Sequence, residues 1–279
     1  MIKIYEYQNK NLGMAFKRIS KALHDYSPPD IKWTDYAGSA SIILVHVVGG
    51  GEVPIMENVL ESGRKLLIIQ HVVKTGGVYP WNEYFKQAIL SVSFHDLASY
   101  YPKDRFNSYS TPWGYDPKEF SRIEMPKKRK VLGTGYVADT ECLDKLYQAC
   151  LNTDNIMYHT GKDFEFGKNY YHLPWLNDVG FNEMLNSVQY TSCLRDIEGF
   201  EMMGVEGLVC GAVPIVPALD TYRWYRKHGI FVDMHSDITK QLEDILVLTP
   251  TPPDEDELEE IHQKFSWEYI VPKIFAHLG

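Results

Sequence analysis

Residues 189–216 read QYTSCLRDIEGFEMMGVEGLVCGAVPIV, and the order of residue types in this stretch decides the fold. A short strand-like run, Gln189 to Cys193, leads into a loop containing Glu198 and Gly199. A helix-length segment follows over Gly204 to Cys210, then Gly211 as a helix stop, then a second buried-strand run over Val213 to Pro217. Strand, loop, helix, strand is the repeating unit of a parallel α/β sheet. Glu198 sits in the strand-to-helix loop and Glu206 about two turns into the helix, so both carboxylates can face one side of the unit. Glycine at 199 and 204 lets backbone approach a ligand closely, and the N–H groups that open the helix form an anion site suited to a diphosphate. A carboxylate inside the helix, Glu206, can accept hydrogen bonds from the vicinal hydroxyls of a ribose. Taken singly, the glutamates read as acids at a helix N-terminus, and it is the added Gly211-Ala-Val-Pro214-Ile-Val, a helix stop feeding a buried strand, that makes the composite specific.

The same alternation extends in both directions. Ile2 to Tyr7 reads as a strand, Met14 to Tyr26 as a helix with apolar residues at Ala15, Ile19, Ala22 and Leu23, and Ser41 to Val48, Lys65 to His71 and Ala88 to Phe94 as further buried strands. Ser110 to Phe120, with two prolines and a glycine, is the expected hinge. Beyond it come strand Val131 to Thr134, helix Asp139 to Asn152, strand Asn155 to His159, helix Asp178 to Ser187, strand Ile230 to Val232 and helix Asp237 to Leu246. The expected fold is α/β with two Rossmann-like domains, 1–120 and 121–264, facing across a cleft lined by the loops at the carboxyl ends of their strands, and a C-terminal segment 265–279.

Composition narrows the function. A length of 279 residues suits two ordinary domains. The longest apolar run, Ile42 to Val48, falls far short of the roughly 20 residues of a membrane span, and no signal-peptide pattern opens the chain, so a soluble cytoplasmic protein without stable membrane insertion is expected. Cys142, Cys150, Cys193 and Cys210 show no C-x-x-C spacing and read as structural thiols. The net charge of −9 argues against coating a polyanion. Asp254 to Glu260 reads as the solvated first turns of a helix after Pro252-Pro253.

These motifs resemble the retaining nucleotide-sugar glycosyltransferases of the GT-B fold, in particular glycosyltransferase family 4 (glycosyl transferases group 1). The family pattern E-G-F-G-x(4)-E-A-x-A-C-G-x-P-V is similar to E-G-F-E-M-M-G-V-E-G-L-V-C-G-A-V-P-I from Glu198 to Ile215. Thr111-Pro-Trp-Gly-Tyr-Asp116-Pro-Lys-Glu-Phe120 resembles the family's P-x-G-V-D-x-x-x-F before the crossover. Phe265-Ser266-Trp267-Glu268 resembles its C-terminal F-S-W-E, which opens the helix returning to the first domain. The resemblance implies Glu198 beside the transferred sugar, Glu206 on the ribose, and Gly199, Phe200 and Glu201 beside sugar and phosphates. It also implies His71, at the end of KLLIIQH, in the cleft near the sugar, and Gly13 near the diphosphate. The plain alternative for His71 is a histidine that ends a strand.

Two departures from the family pattern matter. One glycine, Gly13, stands where a Gly-Gly pair is common. After strand Val131 to Thr134 the chain reads Gly135-Tyr-Val-Ala-Asp-Thr140, where relatives carry an arginine and a lysine for the donor phosphates. Lys162, after the strand-like Ile156 to Thr160, is the first candidate substitute and Lys130 the second. Lys127-Lys-Arg-Lys130 matches a short nuclear import signal, but Lys130-Val131-Leu132 reads directly into the next strand, so a solvated linker is the expected reading. Tyr79 and Trp81 form either an acceptor wall or surface packing.

The resemblance implies transfer of a hexose from a UDP- or GDP-sugar, UDP-glucose first, to a hydroxyl of a glycan, lipid or small molecule. Retention by front-face departure and attack is implied with it. No metal is expected, because no D-x-D stands at a strand end, and no cofactor beyond the nucleotide sugar. Two other readings stay open: transfer to a hydroxymethylated DNA base, as in some phage enzymes of this fold, and a non-catalytic nucleotide-sugar-binding relative.

Overall fold

The computed structural model describes residues 1–7, 13–71, 81–101, 106–126, 130–133, 141–195 and 199–278. The chain divides into two compact units, Met1–Gly114 with Trp267–Gly279, and Tyr115–Ser266. In the first, the elements run β1 (Ile2–Tyr7), α1 (Met14–Asp25), β2 (Ile31–Trp33), β3 (Ile42–Val47), α2 (Val53–Glu61), β4 (Lys65–Gln70), α3 (Trp81–Gln87), β5 (Leu90–Ser93), α4 (Leu97–Tyr100) and β6 (Ser108–Ser110). All pairings are parallel and the strand order is β2-β1-β3-β4-β5-β6. Every residue of β3 is buried, as a strand covered on both faces requires. The chain steps from β1 out to β2 and then returns to the other side of β1 as β3. The order therefore reverses between β1 and β3, and in open α/β sheets the crevice at the carboxyl ends of such a pair is where ligands bind.

The second unit contains β7 (Lys130–Gly133), α5 (Leu143–Asn152), β8 (Ile156–Thr160), β9 (Tyr170–Leu173), α6 (Asp178–Ser187), β10 (Tyr190–Ser192), α7 (Met202–Val209), β11 (Val213–Pro217), a 3-10 helix over Asp220–Tyr225, β12 (Ile230–Val232), α8 (Ile238–Leu246) and α9 (Glu255–Phe265). Its parallel sheet has the order β12-β11-β10-β7-β8-β9, so the reversal falls between β7 and β10. Neighbouring residues enter opposite cores. Val131 and Ile215 pack with Leu146 and Leu242, while Leu132 and Val216 pack with Leu208 and Phe265. That alternation is the pleat of a sheet with helices on both faces.

The boundaries have local causes. Tyr115 pairs with Ser266 as a parallel bridge, and its N–H donates to the Phe265 carbonyl at 2.9 Å, which ties the start of the second unit to its last helix. The acidic run 254–260 opens α9 through a capping box in which Asp254 accepts from the Glu257 N–H and the Glu257 carboxylate accepts from the Asp254 N–H. Immediately after α9, helix α10 (Trp267–Ala276) packs on α1 in the first unit, where Phe275 meets Trp33 with ring centroids 6.1 Å apart. All four cysteines are buried, and burial pushes the Cys150 thiol up to about 12. Among the described residues no helix is long and apolar enough to cross a membrane.

Candidate active site

In the second unit the 189–216 stretch folds as β10, loop, α7 and β11, with Gly211 at φ +79° after the last turn and the N–H of Ala212 donating to the Gly207 carbonyl at 2.8 Å. The loop after β10 flanks the reversal point. Gly199 lies there, and a Cβ built on it would be 3.7 Å from Arg195 Nη1 and 4.0 Å from the Tyr222 hydroxyl, ordinary contact with room to spare. Gly204 differs from the reading that made it a point of ligand approach. It lies inside α7, and a Cβ there would come within 2.8 Å of the Tyr225 hydroxyl and 3.0 Å of Cys193 Sγ. Gly207 is as tight, 2.8 Å from Thr191 Cγ2. Both glycines let α7 sit close on β10, which is a packing role.

The acidic residues also divide. Glu201 stands at the N-cap of α7 but makes no side-chain cap there. Its carboxylate accepts from Arg195 Nη1, and its carbonyl accepts from the Tyr225 hydroxyl at 2.6 Å. The Glu201 side chain thus caps none of the opening amides of α7. Phe200 stacks on Tyr225 with centroids 5.5 Å apart. Glu206 is buried within α7 at 1% exposure, and its charge acts on Cys193 and Tyr225. Burial first, then neighbouring groups that include the Glu201 carboxylate, push the Cys193 thiol and the Tyr225 hydroxyl well above their usual ranges. Glu198 lies outside the described residues, as does the whole segment 134–140.

Arg195 is a cation of this loop that the sequence reading did not single out. It follows β10 by three residues, with Glu201 on Nη1 and Glu141 3.9 Å from Nη2. Burial pulls its charge down, but the Glu201 carboxylate outweighs burial and holds the guanidinium protonated more firmly than usual. Its Nε and the hydroxyl of fully buried Tyr222 are buried with no hydrogen-bond partner among the described residues. Lys162 follows β8 after Gly161, whose φ is +114°. It is exposed, with Nζ 5.8 Å from the centre of the Phe164 ring. Lys130 begins β7 and lies 5.0 Å over the Tyr158 ring.

In the first unit the strand register builds a staircase at the reversal point. Glu6 of β1 is opposite Leu44 of β3, and His46 stands two residues farther along the same face. His46 is opposite Ile69 of β4, and His71 stands two residues beyond that. Glu6 Oε1 and His46 Nε2 are 2.6 Å apart, and His46 Nδ1 and His71 Nε2 are 2.8 Å apart. Glu6 Oε2 meets His24 Nε2 of α1 at 2.8 Å, and His24 stacks on Trp33 at 3.8 Å. Burial pushes the Glu6 carboxyl up, but hydrogen bonds from His24 and His46 outweigh it and bring the pKa to about 2. His71, buried against Phe16 and Trp113, is held well below the usual histidine range by burial and by His46. A Cβ built on Gly13, the N-cap of α1, would lie 3.9 Å from the Phe16 ring, the same ring that meets His71. Trp81 is buried at 3% in the core with Tyr84 and Phe85, which is packing and not a presented wall. Tyr79 lies outside the described residues.

Solved structures share this double architecture. AviGT4, a glycosyltransferase involved in Avilamycin A biosynthesis, superposes with a TM-score of 0.68 at 10% identity over 100% of this chain and 97% of its own. The chain has the GT-B fold. Sucrose-phosphate synthase from Thermosynechococcus elongatus matches this GT-B chain at 0.67 and 12% identity, over 86% of this chain and 73% of its own. TarM matches at 0.64 and 12%, over 85% and 54%. No protein-family model and no curated protein matches the GT-B sequence.

Proposed function

We propose that this protein is a nucleotide-sugar-dependent glycosyltransferase that moves a hexose from a UDP- or GDP-sugar, UDP-glucose first, to a hydroxyl acceptor with retention of configuration. The observation that carries this reading is the loop after β10. Buried donors at Arg195 Nε and Tyr222 without partners among the described residues, a Gly199 where a Cβ would meet only ordinary contacts, and an α7 start that the Glu201 side chain does not cap occur together at the carboxyl end of the strand where the sheet order reverses. Buried polar groups without partners are uncommon, and in a binding loop they mark where a ligand supplies the missing partner.

In this reading Glu206 takes the ribose hydroxyls, and the α7 amides with Arg195 and Lys162 meet the leaving diphosphate. Glu198 orients the transferred hexose. Charge that develops on the leaving phosphate is thereby met by preorganised donors, so no metal is required and activity survives EDTA. The leaving phosphate takes the acceptor proton as the acceptor oxygen attacks from the same face, which gives retention without an enzymic nucleophile.

The test is a thermal-shift panel of nucleotide sugars, followed by donor hydrolysis and NMR assignment of the anomeric configuration of the sugar released or transferred. Stabilisation by one nucleotide sugar and a retained product are expected. No stabilisation by any nucleotide sugar sinks the function, and an inverted product sinks the stereochemistry alone.

A further inference from the structure

Nothing in the proposed reaction uses Glu6 or His46, yet they are the two most deeply buried polar groups on one face of the first sheet's reversal point, at 6% and 1% exposure. The ionised Glu6 fixes the direction of the first hydrogen bond, and the charge of His46 sets the direction of the second. An ionised carboxylate only accepts, so the proton between Glu6 and His46 sits on His46 Nε2. A neutral His46 then carries a bare Nδ1, which accepts from His71 Nε2 at 2.8 Å. A neutral His71 in turn keeps its Nδ1 as a lone pair, and that atom is buried with no partner among the described residues. The two imidazoles are 6° from coplanar with centroids 5.1 Å apart, so the bond runs edge to edge along the lone-pair direction.

We propose that His46 is neutral and that Glu6 and His46 are positioning residues that lock His71 in the tautomer with its proton on Nε2, so that Nδ1 is held as an acceptor for a sugar hydroxyl. The ligand class rests on the glycosyltransferase reading; the tautomer does not. The polarity at Nδ1 is what matters. With the relay intact it accepts from a neutral hydroxyl and offers nothing to a phosphate oxygen, which itself only accepts. Phe16 and Trp113 pack against the ring and hold its plane. The charged and titratable groups in the line are Glu6, His24 and His46, and Glu6 is shared between His24 and His46 through different oxygens. At metal sites a carboxylate that accepts from a histidine's other ring nitrogen fixes its tautomer in the same way.

The experiment is a long-range proton–nitrogen spectrum of the imidazoles in the full-length, nitrogen-15-labelled protein at pH 7.5, assigned with His71→Gln and His46→Gln. The expected result is His71 with Nε2 protonated and Nδ1 at the shift of an unprotonated nitrogen. A protonated Nδ1, or two nitrogens averaging between tautomers, overturns the proposal. His46→Leu, checked for folding by its melting curve, should release the averaging and weaken the best-binding nucleotide sugar of the panel at least tenfold, with the affinity for its free nucleoside diphosphate unchanged. Titration of the wild type with free glucose separates the sources: a shift of His71 Nδ1 with glucose alone assigns an acceptor hydroxyl, and a shift only with nucleotide sugar assigns the donor hexose. A shift with neither overturns the ligand assignment. If no nucleotide sugar binds the wild type, the glycosyltransferase reading falls, and the wild-type tautomer and the glucose titration then decide this inference by themselves.

Discussion

The two sheets reverse their strand order at equivalent places, and the chain has furnished those places with opposite chemistry. Between β1 and β3 stands a line of hydrogen bonds, Glu6 to His46 to His71, that ends on a buried nitrogen without a partner among the described residues. Between β7 and β10 stands an arginine already gripped by carboxylates, a helix start that its N-cap side chain leaves alone and two buried donors without partners among the described residues. The first arrangement ends in an acceptor and suits a neutral hydroxyl. The second is rich in donors and suits an anion. Backbone topology supplies the crevice in both units, but which ligand each one takes is decided by a few side chains at strand ends, as expected when function is grafted onto a common fold.

The largest break in this contrast should come from Glu206→Ala. Two hydrogen bonds from ribose hydroxyls to a buried carboxylate contribute together about 3 kcal/mol or more, so nucleotide-sugar affinity should fall about 100-fold or beyond by calorimetry. The histidine line of the first unit lies outside the change. Wild-type affinity in a folded mutant would remove the ribose role and with it the reason for treating the second unit as the nucleotide side.

Acid should expose the first unit by a different route. The Glu6 carboxyl has a folded pKa of about 2 against an ordinary 4.5, so its stabilisation is complete above pH 4.5 and is lost as pH falls towards 2. At about 1.36 kcal/mol per pH unit, that difference amounts to about 3 kcal/mol. His71, depressed from 6.5, adds to the same trend, because an imidazole kept neutral in the fold stabilises above pH 6.5 and costs stability below it. Denaturant unfolding across this range should show a steep loss in the wild type and a flatter one in Glu6→Gln. Identical slopes would mean that the carboxylate is not held as the geometry indicates.

The glycines sharpen the contrast within the second unit. Gly204→Ala forces a methyl to within 2.8 Å of the Tyr225 hydroxyl, and overpacking of this kind costs about 1–3 kcal/mol. Gly199→Ala meets only ordinary contacts, so its melting temperature should stay near that of the wild type while donor affinity falls. The reverse pattern would exchange the packing and ligand roles assigned to the two positions.

How much of this was legible in the sequence follows burial. Continuous apolar runs gave β3 and β4 to within a residue or two at their ends, and α6, β11 and β12 coincide with their expected limits. The strands missed were β2, β6 and β9, each of three or four residues and each at the edge of its sheet, where one side lacks a neighbour and the sequence needs no apolar run. The motif glycines were visible but not their separate jobs, because spacing cannot distinguish a Cβ excluded by Tyr225 from one excluded by a ligand. Glu6 and His46 left a signal that could have been used: a charged group and an imidazole at the next-to-last positions of their strands, each buried. What linear order hides is that β1, β3 and β4 are neighbours in register. Arg195 was equally visible, three residues past β10, but the pattern it interrupts drew attention to the glutamates and glycines around it.

The smallest expected effect concerns the two cations beside the diphosphate. Arg195→Ala and Lys162→Ala should each weaken free nucleoside diphosphate about tenfold, near 1.4 kcal/mol, and nucleoside monophosphate much less. Their settings separate them. Lys162 is exposed, so its contribution is screened and should vanish in 1 M salt, where the Debye length is about 3 Å, and its loss should leave the melting temperature unchanged. Arg195 has a side chain 20% exposed and bonded to Glu201, so its contribution should persist in salt. Its truncation strands the Glu201 carboxylate and should lower the melting temperature as well. Arg195→Lys keeps the charge but cannot reproduce the planar fork, and should recover stability only in part. If Lys162→Ala changes nothing at low salt while Arg195→Ala shows the whole loss, the phosphate site belongs to the β10 loop alone. If Arg195→Ala leaves diphosphate affinity intact, the guanidinium serves the carboxylates and the anion reading of the second unit loses its central cation.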